Sequence, residues 1–556
     1  MRLDPAAPLR VTTKLGTPNA FRALVSAHLA AKRRGMPVAD LLGEMEGSAL
    51  RRAELAAESA PAPKRQLNRR QLLGAAGAFA AASALPGGLL APTRANAATA
   101  PRVVIVGGGL AGLRCAHKLW TDHANVAATV YDADTSHAGG RCWSLRGFFN
   151  NGAVSEHGGA FVSSADSAML GLARRFGVHT ELANGGELKT GDYTQLVNGQ
   201  QYPGFDADVN ALMPRLQASV TAMGGSEPRY NSYNAEAQRL DNMSMLDYFT
   251  EIGVDERSPL GEIFGTIQRQ GGGEPRDSSA VGFISFWAGG GFSVKAFDEL
   301  YHLEGGNDQV ITGMLSELPQ GTLKQGYELV ALRRNTDSSY TCTFKNGSSL
   351  VQVAADHVIL ALPFRQLREV DFSAAGFSAR KSQAICQQGM GHNAKLVVQL
   401  NQKTWPSLNR NGIVNTDRYG FGTAWDGSVN LGTGGPALLV NFPGGDVARY
   451  TYTGAAHGPA PTADVNFFLN GIETVFPGTR AAFNGKAYED HWSVDPWHYG
   501  AYHYYKVGQY TAFAGYEGVQ EGRVHFAGEH TDVDNATLNA AVASGERCAD
   551  EVLAQI

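Results

Sequence analysis

The chain has 556 residues, 43% of them hydrophobic, with 47 Lys and Arg against 52 Asp and Glu. That is apolar material for two domains with sizeable cores, more than a small binding module needs. A formal charge of −5 excludes the overall basic balance of a nucleic-acid binder, and five cysteines in no CxxC or Cys/His spacing point to neither a disulfide framework nor a metal site.

The charge is unevenly spread. Residues 1–97 carry 14 Lys and Arg against 6 Asp and Glu, and the remainder carries 33 against 46. An acidic body mildly favours cationic small molecules by long-range attraction. At the N-terminus, residues 1–63 read as a leader extension with one or two short amphipathic helices, to which no mechanism attaches. Residues 64–97, "KRQLNRRQLLGAAGAFAAASALPGGLLAPTRANA", combine a basic start, an Ala/Gly-rich apolar run and an A-x-A site at Ala95-Asn96-Ala97. The segment resembles a secretion signal peptide. Arg69-Arg70, followed by Gln71-Leu72-Leu73, is similar to the twin-arginine type, whose export machinery moves proteins already folded around a cofactor. The apolar run is too short and too rich in glycine for a membrane span. The expectation is an exported protein, periplasmic or extracellular, with no membrane span in its mature form and no nucleic-acid partner.

The body opens with "PRVVIVGGGLAGLRCAHKL", a β-branched run at Val103 to Val106, then Gly107-x-Gly109-x-x-Gly112, then an apolar helix. Glycines at that spacing allow a tight turn and a close approach of pyrophosphate to the helix N-terminus, where free N–H groups and the dipole favour negative charge. A second strand, "AATVYDAD", ends near Asp132, at the distance from the loop where an acidic residue binds an adenosine ribose. These features predict a dinucleotide and leave NAD or FAD open.

Two further stretches narrow the choice: "HAGGRCWSL", with Gly139-Gly140-Arg141, and "SEHGGAFV", with Glu156-His157-Gly158-Gly159. In series after a complete fingerprint, they make the chain resemble the flavin amine oxidase family of monoamine, polyamine and L-amino-acid oxidases. The resemblance implies FAD, with Gly140, Arg141, Gly158 and Gly159 along its diphosphate and flavin. It also implies an α/β fold, a Rossmann-like FAD-binding domain interleaved with an α+β substrate-binding domain. The FAD-binding pieces are expected at 98–165, 295–365 and 510–556, and the substrate-binding pieces at 166–294 and 366–509. Within "YELVALRR", Val330 corresponds to the residue beside the adenine. In "GRVHFAGEHTDVDNATLNAAV", Glu529 follows Gly528 and corresponds to the glutamate that meets the ribityl or diphosphate region. Thr537 and Leu538 begin the long helix whose N-terminus faces the flavin pyrimidine.

Three residues carry the expected chemistry. Lys395, at the start of "AKLVVQL", matches the family lysine bridged by water to flavin N5; buried, its ammonium would lose protons more readily. Trp492 and Tyr502 match the family's W…G-x-Y segment, whose tyrosine walls an aromatic cage that orients an amine without a charge partner. Ala501 stands where monoamine oxidases carry the cysteine that links FAD, so non-covalent FAD is expected.

The chain also departs from the family. Asn535, Ala536 and Thr537 lie where a second cage aromatic is usual, and Phe161 lies where amino-acid oxidases carry an arginine for the substrate carboxylate. Without a cation there an amine is expected rather than an α-amino acid, unless another arginine, such as Arg269 or Arg276, takes that role. Phe286 and Trp287 are aromatic enough to line a pocket and equally suited to a core. The resulting expectation is an FAD-dependent amine oxidase. Hydride passes from the C–N carbon to the flavin, the imine hydrolyses to aldehyde and ammonia or amine, and reoxidation by O2 gives H2O2, or a periplasmic acceptor replaces O2. The alternatives are an L-amino-acid oxidase and a non-catalytic flavin-binding protein.

Overall fold

Val103–Val106 is buried along its whole length and lies at the centre of a five-stranded sheet in a computed structural model of the protein. The structure describes residues 101–122, 125–183, 192–289, 298–417, 420–428, 435–532 and 536–556. The leader extension at 1–63, the signal segment at 64–97 and Asn535 lie outside the described residues.

The sheet order is Val524–Phe526, His357–Leu360, Val103–Val106, Ala128–Asp132, Leu323–Gln325, and every pairing is parallel. A parallel sheet must be covered on both faces, which is why its strands read as unbroken apolar runs. On one face lie the helices Leu110–Thr121 and Leu538–Leu553. Their backbones come so close that a Cβ on Gly545 would stand 2.3 Å from the carbonyl oxygen of Ala111. On the other face lies a second sheet, ordered Ser349–Ala355, Tyr340–Asn346, Tyr327–Arg334, Asp371–Ala374, with Phe344 stacked on Tyr131 at 4.4 Å.

Two expected boundaries move. Asp371–Ala374 pairs with Tyr327–Arg334, and Ala384 and Ile385 pack into the core that holds Val104 and Val358, so the packing around the parallel sheet continues past the second expected piece, which ends at 365. The helix Ser167–Arg175 buries Met169 and Leu172 with Ile105 and Leu113, so the first piece runs past 165. Neither cover carries a glycine signature, and each is recruited because the sheet needs it.

The substrate-side layer is an eight-stranded sheet ordered His457–Pro459, Phe483–His491, Ala394–Leu400, Ala437–Phe442, Thr423–Asp426, Arg410–Thr416, Asp192–Val197, Gln200–Gln201. Its neighbours in the pairing are antiparallel except Arg410–Thr416 with Asp192–Val197. A helical cluster between residues 205 and 288 has its own core of Tyr248, Phe249, Phe264, Phe283 and Trp287. Trp287 is therefore a core residue, packed on Phe264 at 4.8 Å.

The helix Leu110–Thr121 meets its loop without room to spare, since a Cβ on Gly112 would lie 2.0 Å from the Gly107 carbonyl oxygen. Gly112→Ala is expected to cost about 1–3 kcal/mol by overpacking and to lower FAD content, read by urea denaturation and by the flavin-to-protein absorbance ratio.

Candidate active site

At the C-terminal edge of the parallel sheet, the chain turns from Val106 into its first helix through Gly107, with φ +109°, and Gly109, the N-cap. No side chain caps this helix, so its first N–H groups are available to an anion. Gly139 N–H donates to the Gly108 carbonyl at 2.9 Å, which lays the second glycine pair along the first. Gly140 has φ +59°, and a Cβ there would stand 3.3 Å from Gly109 Cα. Asp132 closes the edge: its Oδ2 accepts from Gly108 N–H and its Oδ1 from Asp134 N–H at 2.7 Å. Burial pushes its carboxyl pKa up. Gly107, Gly109, Gly112, Asp132 and Gly140 thus meet at one end of the sheet.

The next shell is ionic. Arg141 Nη1 donates to Glu529 Oε1 at 2.9 Å and to the Ala501 carbonyl at 2.5 Å. Glu529 Oε2 accepts from His503 Nδ1 at 2.8 Å and from Ala536 N–H at 3.2 Å. Despite burial, the neighbouring His503 and Arg141 hold Glu529 far below the usual carboxylate range. Both ring nitrogens of buried His530, and Nε2 of His503, have no hydrogen-bond partner among the described residues. Burial pulls the His530 pKa down to about 3, so its ring is neutral. Glycines that cannot carry a Cβ, an uncapped helix end and orphaned buried polar atoms together fit a large phosphate-bearing cofactor. Val330 lies at the bulge between Leu329 and Ala331 in Tyr327–Arg334, half-buried.

Farther in, Lys395 is 3% exposed in a strand that is buried at every position. Its Nζ donates to the carbonyls of Glu156 at 2.8 Å and Gly158 at 2.6 Å. Burial draws its pKa down to about 8, against the pull of Asp490 and Glu156. The turn that offers these carbonyls admits only glycine: a Cβ on Gly158 would lie 2.0 Å from the Arg141 carbonyl oxygen, and one on Gly159 would lie 2.7 Å from Leu538. Leu538, the first residue of the closing helix, therefore seats directly on Gly159, and Thr537 caps that helix by accepting from Ala540 N–H at 3.0 Å.

An aromatic wall stands on the same face. Phe161 lies 5.4 Å from Trp425 and 5.1 Å from His302, ring centre to ring centre. Val397, two residues from Lys395 and so on the same side of its strand, packs with Trp425. Burial and Lys395 draw the His302 pKa down to about 4, leaving a neutral ring. Tyr502 donates its hydroxyl to the Gln270 carbonyl, at the end of the helix Pro259–Gln270, and burial raises its pKa. Trp492 stands apart, 3% exposed and behind the Gly158 turn, with its indole N–H on the His157 carbonyl at 3.0 Å. Arg269 and Arg276 are held by Glu274 and Asp446 at 3.0 and 2.7 Å. They line a cleft with Leu246, Glu262 and Pro275 that includes neither Lys395 nor Tyr502.

Sequence reasoning named Arg141 and Glu529 but missed Trp425, His302 and the His503 that joins the Arg141–Glu529 pair. Of the three missed residues, only His503 carried a signal, as the residue after Tyr502. Removing the Glu529 charge strands Arg141 and His503 without their anion. Glu529→Ala is expected to cost about 3–5 kcal/mol and to abolish FAD retention, measured by thermal unfolding and by cofactor content. Because its folded pKa is depressed, the Glu529 contribution is complete above the ordinary glutamate value of about 4.3 and is lost only in strong acid. The stability gap between wild type and Glu529→Gln should therefore stay constant from neutral pH down to about 5.

Comparison with known proteins agrees with this geometry. Residues 110–553 match the family described as flavin containing amine oxidoreductase. An amine oxidase [flavin-containing] of Danio rerio is 24% identical over 82% of this chain and 86% of its own. An L-amino-acid oxidase of Siganus canaliculatus is 24% identical over 82% and 85%. The solved structure of cyclohexylamine oxidase from Brevibacterium oxydans IH-35A superposes with a TM-score of 0.70 at 18% identity, over 82% of this chain and 99% of that one. The chain belongs to the flavin containing amine oxidoreductase family, and it is an FAD-dependent amine oxidase.

Proposed function

We propose that this enzyme oxidises an amine that lacks an α-carboxylate, holds FAD non-covalently, passes electrons to O2 with release of hydrogen peroxide, and works outside the cytoplasm after twin-arginine export. The observation that carries the substrate reading is Phe161. It follows the Gly158-Gly159 turn and packs on Trp425 and His302, which places an aromatic ring rather than an arginine at this position; the neighbouring cation among the described residues, Lys395, is already held by the Glu156 and Gly158 carbonyls. The two arginines that could replace it are engaged by Glu274 and Asp446. Ala501 offers no thiol for a covalent link, which supports dissociable FAD. Arg69-Arg70 and the Ala95-Asn96-Ala97 site support export.

Bound FAD supplies the hydride acceptor for the C–H bond beside nitrogen, and the oxidised substrate hydrolyses to aldehyde and ammonia or a smaller amine. Gly107, Gly109, Gly112, Asp132, Gly140, Arg141, Gly158, Gly159 and Glu529 would hold the cofactor. Phe161, Trp425 and Tyr502 exclude water and orient the amine by ring faces, which binds it without fixing it as ammonium. Lys395, its pKa drawn down to about 8 by burial, exchanges a proton at Nζ in mildly alkaline solution.

Anaerobic mixing with monoamines, polyamines and L-amino acids tests the reading through flavin bleaching near ~450 nm. Amines are expected to bleach the flavin; bleaching by amino acids alone would overturn the substrate assignment. Tyr502→Ala should slow bleaching by roughly 10²-fold, while Lys395→Met should slow reoxidation by O2 at least about tenfold. Replacing Arg69 and Arg70 by lysine should leave the enzyme in the cytoplasm, as fractionation would report.

A further inference from the structure

Behind the carbonyl cradle of Lys395 lies a buried cluster that neither the cofactor cradle nor the aromatic wall uses. Asp490 stands directly opposite Lys395 in the register between Ala394–Leu400 and Phe483–His491, so the two side chains share one face of the sheet. Asp490 is 1% exposed, and its Oδ1 receives two imidazoles, His157 Nδ1 at 2.7 Å and His457 Nδ1 at 2.6 Å. His457 continues through Nε2 to Asp495 Oδ2 at 2.9 Å, and His498 Nδ1 stands 3.2 Å from that same oxygen. His157 sits in sequence between Glu156 and Gly158, the two residues whose carbonyls hold Lys395. Its ring stacks on Trp143 at 3.5 Å, and Trp143 stacks on His137 at 4.1 Å.

Two histidines and an aspartate invite a metal reading, which the distances oppose. Ligands about 2.0–2.1 Å from one tetrahedral ion stand about 3.3 Å apart, whereas these separations are hydrogen-bond lengths. Both nitrogens also aim at a single oxygen. His457, bridging two carboxylates, donates from both nitrogens and is therefore an imidazolium. Its hydrogen bonds to Asp490 and Asp495 raise its pKa to about 9 against burial. Burial lowers the His157 pKa, and that ring donates as the neutral Nδ1–H tautomer. Around Lys395 the facing titratable groups are Glu156 and His157 from the glycine turn, Asp490 from Phe483–His491 and neutral His302 from Tyr301–Leu303. Around His457 they are Asp490, Asp495 and His157, with His137 beyond Trp143.

We propose that Asp490 and His457 are positioning residues that set the charge of Lys395: Asp490 is the anion favouring its ammonium, and the His457 cation, clamped between two aspartates, limits how much of that anion Lys395 feels. The inference deepens the proposed function, resting on it only in that FAD lies beside Lys395. Two substitutions then act in opposite directions. His457→Gln exposes Lys395 to more of the Asp490 charge and raises its titration; Asp490→Asn removes the anion and lowers it.

The test is a pH titration of the oxidised holoenzyme without substrate, following the flavin absorption spectrum, which responds to a charge beside it. A transition near pH 8 is expected in the wild type, with contributions from Lys395 and from the Glu156 carboxyl, which burial also pushes up to about 8; the Lys395 component is the part lost in Lys395→Met, and it is displaced by about one pH unit upward in His457→Gln and downward in Asp490→Asn. Neither substitution should restore the lost component in the Lys395→Met background. The same shifts are read without flavin by NMR of apoprotein carrying 13Cε-lysine, with the Lys395 signal identified by its loss in Lys395→Met. That measurement separates a failure of the cofactor reading from a failure of the relay. If Asp490→Asn does not fold, His457→Gln alone decides. A titration that Lys395→Met leaves wholly unchanged, or a Lys395 component left in place or moved downward by His457→Gln, overturns the proposal.

Discussion

Glu529 is a carboxylate almost without water, and the arrangement of the cofactor end follows from keeping it ionised. Arg141 arrives from the second glycine pair, His503 from the residue after Tyr502, and the Ala536 N–H from the approach to the closing helix. An isolated buried carboxylate would take up a proton; with three donors it remains an anion and pins three remote stretches of chain together. Arg141 also holds the Ala501 carbonyl, so the same guanidinium that neutralises Glu529 fixes the backbone leading into Tyr502.

The Lys395 end obeys the opposite rule. Lys395 meets no carboxylate within salt-bridge reach among the described residues, and its nearest acceptors are two carbonyl oxygens. Carbonyls satisfy its donors without supplying a full negative charge, which keeps the ammonium affordable to lose. The glycine turn beneath it joins the two ends, because Gly158 lies against the Arg141 carbonyl and Gly159 against Leu538. A fixed ion pair at one end and an easily deprotonated ammonium at the other are thus separated by a few residues of backbone that tolerate no side chain.

Much of the cofactor end was legible in the sequence, and the reason is local. Gly107, Gly109, Gly112, Gly140, Gly158 and Gly159 answer steric demands set by close backbone approach, and such demands fix residue types at fixed spacings. Lys395 and Tyr502 were legible through resemblance, and the structure places one in a buried carbonyl cradle and the other on the end of a helix. Trp425, His302 and the pairing of Asp490 with Lys395 were not, because strand register and sheet order bring them to the site from segments with no motif. Trp492 was named through the same resemblance, while its contact with the His157–Gly158 turn came only with the fold. The domain limits at 165 and 365 fell short because a helix and a strand were recruited by an uncovered sheet face.

The order of the parallel sheet has a consequence for how the molecule is made. Its edge strand Val524–Phe526 pairs with His357–Leu360, and its first helix packs on Leu538–Leu553, the last helix of the sequence. Contacts of such long sequence separation slow folding and leave apolar surface uncovered meanwhile. On a ribosome, Val103–Val106 emerges some four hundred residues before the elements that seal it, so the cradle cannot close until those elements have also been made. A shortened product of this gene would retain every glycine of the fingerprint and still be unable to assemble the cradle they build.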